Sequence, residues 1–114
     1  MGIQKTVKIN AAGLPTFAVM DVTNNKRQSQ FEIKLEDGEI AELTYRWLKG
    51  SMVLMHTGVP KSGQNRGVGS ALAKYALENA RTHHLKVIVY CPFVATYLKR
   101  HPEYNDVIDE THGK

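Results

Sequence analysis

A single cysteine, Cys91, stands in this chain of 114 residues, so no internal disulfide is possible. A reducing, cytoplasmic setting is expected. No apolar run is long enough to cross a bilayer, and no membrane partner is expected. The first ten residues hold Gln4, Lys5 and Lys8 but no apolar stretch of the signal-peptide kind. Internal repeats and low-complexity segments are missing as well. Positive charge is present but not gathered. The net charge is +4, and Lys and Arg are scattered apart from small groups at Lys26-Arg27 and Lys99-Arg100. A nucleic-acid binder would concentrate that charge and interleave it with aromatics, so no nucleic-acid partner is expected. His83-His84 lack further ligands at metal-binding spacing, so no metal is expected either.

What remains is ordinary for a soluble globular domain: 42% hydrophobic and 23% charged residues. A chain of this size buries a core without disulfides or metals. The Gly13-Leu14-Pro15 break sets off residues 1–15 as an N-terminal extension or edge strand. Residues 16–114 are then one domain.

Turn chemistry divides the first half of that domain. Residues 16–23 have β-type composition, with Phe17, Val19 and Val22, and Asn24-Asn25-Lys26-Arg27 forms a turn. Phe31, Ile33 and Leu35 alternate with Glu32 and Lys34, and Asp37-Gly38 is a strong hairpin signal. The next strand, residues 40–48, puts Ala41, Leu43, Tyr45 and Trp47 on one side, before a tight turn at Lys49-Gly50. Residues 51–59 are apolar on both faces, which marks a central strand. Four antiparallel strands in meander order are predicted.

The periodicity then becomes helical, with Val68, Leu72, Tyr75 or Ala76, and Ala80 over residues 67–82. Residues 85–90 are a short buried strand. A strand–helix–strand sequence predicts a crossover that makes this strand parallel to residues 52–59. A second helix follows from Phe93 to about His101, ended by Pro102. The fold class is α+β, a mixed α/β layer with a mostly antiparallel sheet, one parallel pair and two main helices.

The segment Gln64-Asn65-Arg66-Gly67-Val68-Gly69-Ser70 opens the first helix directly after the central strand. Glycines let a backbone approach a ligand, and a helix start attracts anions. The segment is not a P-loop, because the Lys-Ser/Thr after a second glycine is missing. It is not the dinucleotide fingerprint, because Leu72 stands where a third glycine belongs. A glycine-rich helix cap without ligand is the plain alternative.

Gln64-x-x-Gly67-x-Gly69 resembles the acetyl-CoA loop, Gln/Arg-x-x-Gly-x-Gly/Ala, of the GNAT superfamily of N-acetyltransferases. A small single-domain branch is closer still. Its marks stand here as His56-Thr57-Gly58-Val59-Pro60, Cys91-Pro92-Phe93-Val94 and Tyr97-Leu98-Lys99-Arg100-His101-Pro102-Glu103-Tyr104. The resemblance runs over about residues 20–107. It implies a GNAT-like acyl-CoA N-acyltransferase fold whose parallel strands splay at their carboxyl ends. It implies acetyl-CoA as cofactor, with CoA as product and an amine as acceptor. Asn65, Arg66, Gly67, Val68, Gly69 and Ser70, with Gln64, would receive the pyrophosphate. Thr57, Gly58 and Val59 would bond the pantetheine arm like an added strand.

Three side chains are candidates for the chemistry. Cys91 precedes a helix start and has two readings, a nucleophile that carries the acetyl group or a buried thiol lining the pocket. Tyr97 lies near where many superfamily members keep a tyrosine that protonates the departing thiolate; a core aromatic is the other reading. His56 is a general base for the amine or a hydrogen-bonded cleft histidine. The activity implied is acetyl transfer to an amine, directly or through Cys91. The alternative is a non-catalytic acetyl-CoA- or CoA-binding module, because little chain remains to build an acceptor pocket. A monomer or small homo-oligomer is expected.

Overall fold

The computed structural model describes residues 6–9 and 20–109. The Gly13-Leu14-Pro15 break and residues 16–19 of the first expected domain strand lie outside them. The strands are β1 (Thr6–Ile9), β2 (Met20–Asn25), β3 (Gln30–Lys34), β4 (Ile40–Leu48), β5 (Ser51–Gly58) and β6 (Val87–Val89). Two α-helices, α1 (Val68–Thr82) and α2 (Pro92–Arg100), join 3₁₀ segments at Lys61–Gly63 and Pro102–Val107. The six described strands form one sheet whose order in space is their order in the chain. β1 to β5 pair antiparallel, and β5 pairs β6 in parallel. This is the expected α+β sheet, with β1 added at its edge. Among the described residues no helix is long and apolar enough to cross a membrane.

Local turn chemistry explains the hairpins. Lys49 and Gly50 both hold positive φ, 50° and 86°, as a two-residue turn matched to strand twist requires. At Asp37-Gly38 the Glu39 N–H donates to Asp37 Oδ1 at 3.0 Å. The first turn falls later than its asparagines suggest. Asn24 and Asn25 belong to β2, because their side chains are used across the sheet. Asn24 Oδ1 accepts from the Tyr45 hydroxyl at 2.7 Å, and Asn25 Nδ2 donates to Glu32 at 2.9 Å.

α1 lies across β2 to β5 and buries Val68, Leu72, Tyr75, Ala76 and Ala80 against them. Phe31 is the hub, with ring centroids 5.0 Å from Tyr45 and 5.5 Å from Tyr75. Trp47 continues the Ala41–Leu43–Tyr45 row but is half exposed, edge-on to Tyr45 beside the Lys49-Gly50 turn. α2 starts on Pro92, whose missing N–H costs nothing in a first turn. It packs on β5, β6 and α1. The chain beyond Pro102 is not a plain stop. Its 3₁₀ segment buries Tyr104 and Val107, and Arg81 ties it to α1 through the Glu103 carbonyl at 2.6 Å and Asp106 at 2.5 Å.

Candidate active site

β5 and β6 share only three rungs, Met52 with Val87, Val53 with Ile88 and Leu54 with Val89. The Leu54 carbonyl then accepts the N–H groups of both Tyr90, at 3.0 Å, and Cys91, at 3.1 Å. These two hydrogen bonds to one carbonyl end the parallel pair, and Tyr90 is exposed rather than part of a buried strand. β5 runs on to Gly58 paired with β4 alone. Its other edge has no strand partner beyond Leu54 among the described residues.

The register slips at the same place. Tyr45 pairs with Leu54 and Thr44 with His56, which leaves Met55 as the extra residue of a β-bulge. Because strand side chains alternate, one extra residue inverts the faces of those beyond it. Thr57 therefore shares the helix-covered face with Leu54, and its Oγ1 lies 3.0 Å from Cys91 Sγ. His56 turns to the opposite face, beside Glu42. A β-carbon on Gly58 would stand 3.3 Å from Glu42 Oε2 and 3.6 Å from His56 Nε2. The bulge thus separates His56 from Cys91.

From Val59 the chain crosses the Lys61–Gly63 turn and reaches α1. Gln64 Nε2 donates to the Val59 carbonyl at 3.1 Å, which holds the loop against the end of β5. Gly67 caps α1 in the left-handed region, φ 77° and ψ 13°, where a side chain would be strained. No side chain caps the helix and no acid stands in its first turn. Its first N–H groups have no intrahelical acceptor, so the helix start is a site of positive potential. The sequence from His56 to Leu77 contains no carboxylate but holds Lys61, Arg66 and Lys74.

The unpartnered strand edge and the open helix start face one groove of about 670 Å³. It is lined by His56, Thr57, Gly58 and Val59 from the strand, and by Gln64, Asn65, Gly67, Val68, Gly69 and Ser70 from the loop and helix. Gly63 and Phe93 complete the lining. Nine of the ten residues expected to hold a cofactor are therefore together, with His56 beside them. Arg66 is exposed and does not line the groove; its Nη1 reaches the Ser62 carbonyl at 3.5 Å. Cys91 is 2% exposed beneath the fork and does not line it. Tyr97 is also absent from the lining. Its ring stacks on His101 at 4.1 Å and faces Tyr104, and burial, with the Glu103 and Glu78 carboxylates, pushes its phenol above the usual range. Among the described residues no three His, Cys, Asp or Glu side chains gather as a metal site would require.

A family model for the GCN5-related N-acetyltransferases matches residues 30–107. The chain belongs to this family. Among its relatives is human Protein NATD1, 31% identical over 100 residues, which covers 82% of this chain and 88% of that protein. Chicken Protein NATD1 is 31% identical over 85 residues, 73% of this chain and 77% of its own. An NMR structure of a GCN5-like candidate N-acetyltransferase from Staphylococcus aureus is 36% identical, with a TM-score of 0.57. It covers 71% of this chain and 81% of that one. The GCN5-related match spans β3 to the last 3₁₀ segment, and so includes both sides of the groove.

Phe93 and Gly63 are the groove residues that sequence reasoning did not single out. Phe93 was visible only as part of the Cys91-Pro92-Phe93-Val94 block. Its signal is a large aromatic in the first turn of a short helix that stays partly exposed.

Proposed function

We propose that the protein binds acetyl-CoA in this groove and passes the acetyl group directly to an amine. The observation that carries the proposal is the meeting of an uncapped, carboxylate-free helix start with a strand edge that has lost its partner. The residues present suit such a ligand. Residues 67–70 offer backbone N–H groups to a pyrophosphate, with the Asn65 and Gln64 amides beside them. Thr57, Gly58 and Val59 offer an open backbone edge to an extended arm containing amides. Lys61, Arg66 and Lys74 add positive field.

Bound acetyl-CoA supplies the activated thioester carbonyl. Backbone N–H groups of the β5 edge, Val59 among them, donate to oxygens placed along it and stabilise charge developing there. His56 is exposed and is the one titratable side chain among the described groove-lining residues, so it takes the proton of the amine as the C–N bond forms and the C–S bond breaks, and returns that proton to the departing CoA thiolate. Cys91 fills the fork below, bonded to Thr57, and the transfer does not pass through its sulfur. Tyr97 holds α2 against the last 3₁₀ segment.

That same scarcity of titratable groups favours a second reading, an acetyl-CoA-binding module without turnover. Calorimetric titration with acetyl-CoA and CoA, followed by thiol release with amino acids, polyamines and lysine peptides, separates the two. One-to-one binding with thiol release is the expected result. Binding without release across the acceptors would favour the second reading, and no binding at millimolar acetyl-CoA would overturn both.

A further inference from the structure

Gly69 is not in the left-handed region that explains Gly67, since the described glycines with positive φ are Gly38, Gly50 and Gly67. It sits in the first turn of α1, where alanine would give a firmer helix. Space is the constraint instead. A β-carbon at this position would lie 2.8, 3.1 and 3.3 Å from Cζ, Cε1 and Cε2 of Phe93. The tip of the Phe93 ring is therefore seated on the bare backbone of the helix start. The ring also lines the groove and stays 43% exposed, although it is among the chain's few aromatics. Among the described residues, no other Phe, Tyr or Trp lines the groove.

We infer that Phe93 recognises the pantetheine half of the ligand and that residue 69 is glycine to seat its ring. This rests on the acetyl-CoA reading above. The described groove offers three kinds of surface for binding: backbone N–H groups at the helix start, an open peptide edge on β5, and the apolar phenyl face of Phe93. The first suits a pyrophosphate and would serve any nucleotide diphosphate. The other two suit a chain that alternates amides with aliphatic carbons. In this reading the pantetheine arm, lying along the β5 edge, covers the ring, and the diphosphate at the helix start does not. Phe93 thus selects acyl-CoA thioesters over nucleotides that share only the diphosphate.

Calorimetry with CoA and with ADP, which has the diphosphate but no pantetheine, tests the inference. Phe93→Ala should weaken CoA about tenfold, the cost of an uncovered aromatic face, and leave ADP within about twofold. Phe93→Leu should weaken CoA less, by about threefold, and it carries the comparison if Phe93→Ala does not fold. Gly69→Ala should weaken CoA by displacing the ring. The Gly69→Ala/Phe93→Ala double variant should then be no weaker than Phe93→Ala, because both changes act on one contact. Unchanged CoA affinity in Phe93→Ala, in a protein whose wild type binds CoA, would overturn the inference. Equal losses for CoA and ADP would overturn it too, and would make the ring a support for the helix start. A wild type that binds no CoA would instead remove the acetyl-CoA reading, and this inference with it.

Discussion

Two residues decide between one chemical step and two. The Cys91 thiol is buried and engaged with Thr57, so its loss is felt as packing and one hydrogen bond. Cys91→Ala should cost about 1–2 kcal/mol in denaturant unfolding and keep turnover within about threefold. Turnover at background with acetyl-CoA still bound would instead identify Cys91 as the acyl carrier and sink the direct transfer proposed. His56 is the complementary case, exposed on the open face with no packing to lose. His56→Gln should lower kcat by about a hundredfold while acetyl-CoA affinity stays within about twofold. Equal turnover in steady-state assays would remove its role as base. Neither assignment follows from residue type. A histidine two residues before glycine in a strand has no face until the bulge is known, and the extra residue at Met55 is set by what Thr44 pairs with across the sheet.

At the scale of elements, the last 3₁₀ segment is held to α1 by polar contacts as much as by its buried Tyr104 and Val107. Arg81 bonds Asp106 and the Glu103 carbonyl and lies 5.0 Å over the Tyr104 ring, while the Tyr104 hydroxyl donates to Glu78 at 2.5 Å. The bond to Arg81 holds the Asp106 carboxyl below the ordinary carboxylate range. Glu103 is lowered mainly by a backbone hydrogen bond, with His101 assisting. Groups depressed in this way add stability above their unfolded pKa of about 4, and the contribution disappears as pH falls through the lower folded values. Asp106→Asn should therefore lower Tm at neutral pH, and its difference from wild type should shrink toward zero in acid. Thermal melts from pH 7 down to about pH 2 check this. A constant difference across that range would mean that the ion pair is not what ties the segment down. The hairpins and both α-helices were legible because their signals are local: Asp37-Gly38, Lys49-Gly50, the 3.6-residue repeat of α1, and Pro92. The segment after Pro102, the exposure of Tyr90 and the late first turn were not. Each depends on a partner far along the chain, respectively Arg81, Leu54 and the Tyr45 side chain.

For the whole molecule, a ligand that binds only the folded state raises stability by mass action. Acetyl-CoA at a hundred times its Kd should add about 2.7 kcal/mol and raise Tm by roughly 10 °C. Thermal scanning against ligand concentration measures it, and a flat Tm would deny the groove its ligand. The architecture was legible from the alternation of turns and periods. The groove was legible only as a list of residues, because its shape depends on where β5 and β6 part. The sheet's simple order carries one more consequence, for synthesis. Since each strand lies beside the one made just before it, the nascent chain can build the sheet by adding strands at one edge, with short closures from β2 to β5 that favour rapid folding and one helical crossover before β6. The groove does not follow that schedule. Its β5 edge is made early, its helix start next, and Phe93 only after β6 has been added. A chain stalled after β6 would carry all six strands yet lack α2 and the aromatic wall. Full CoA affinity would then report translation carried past Phe93, which the sheet alone does not.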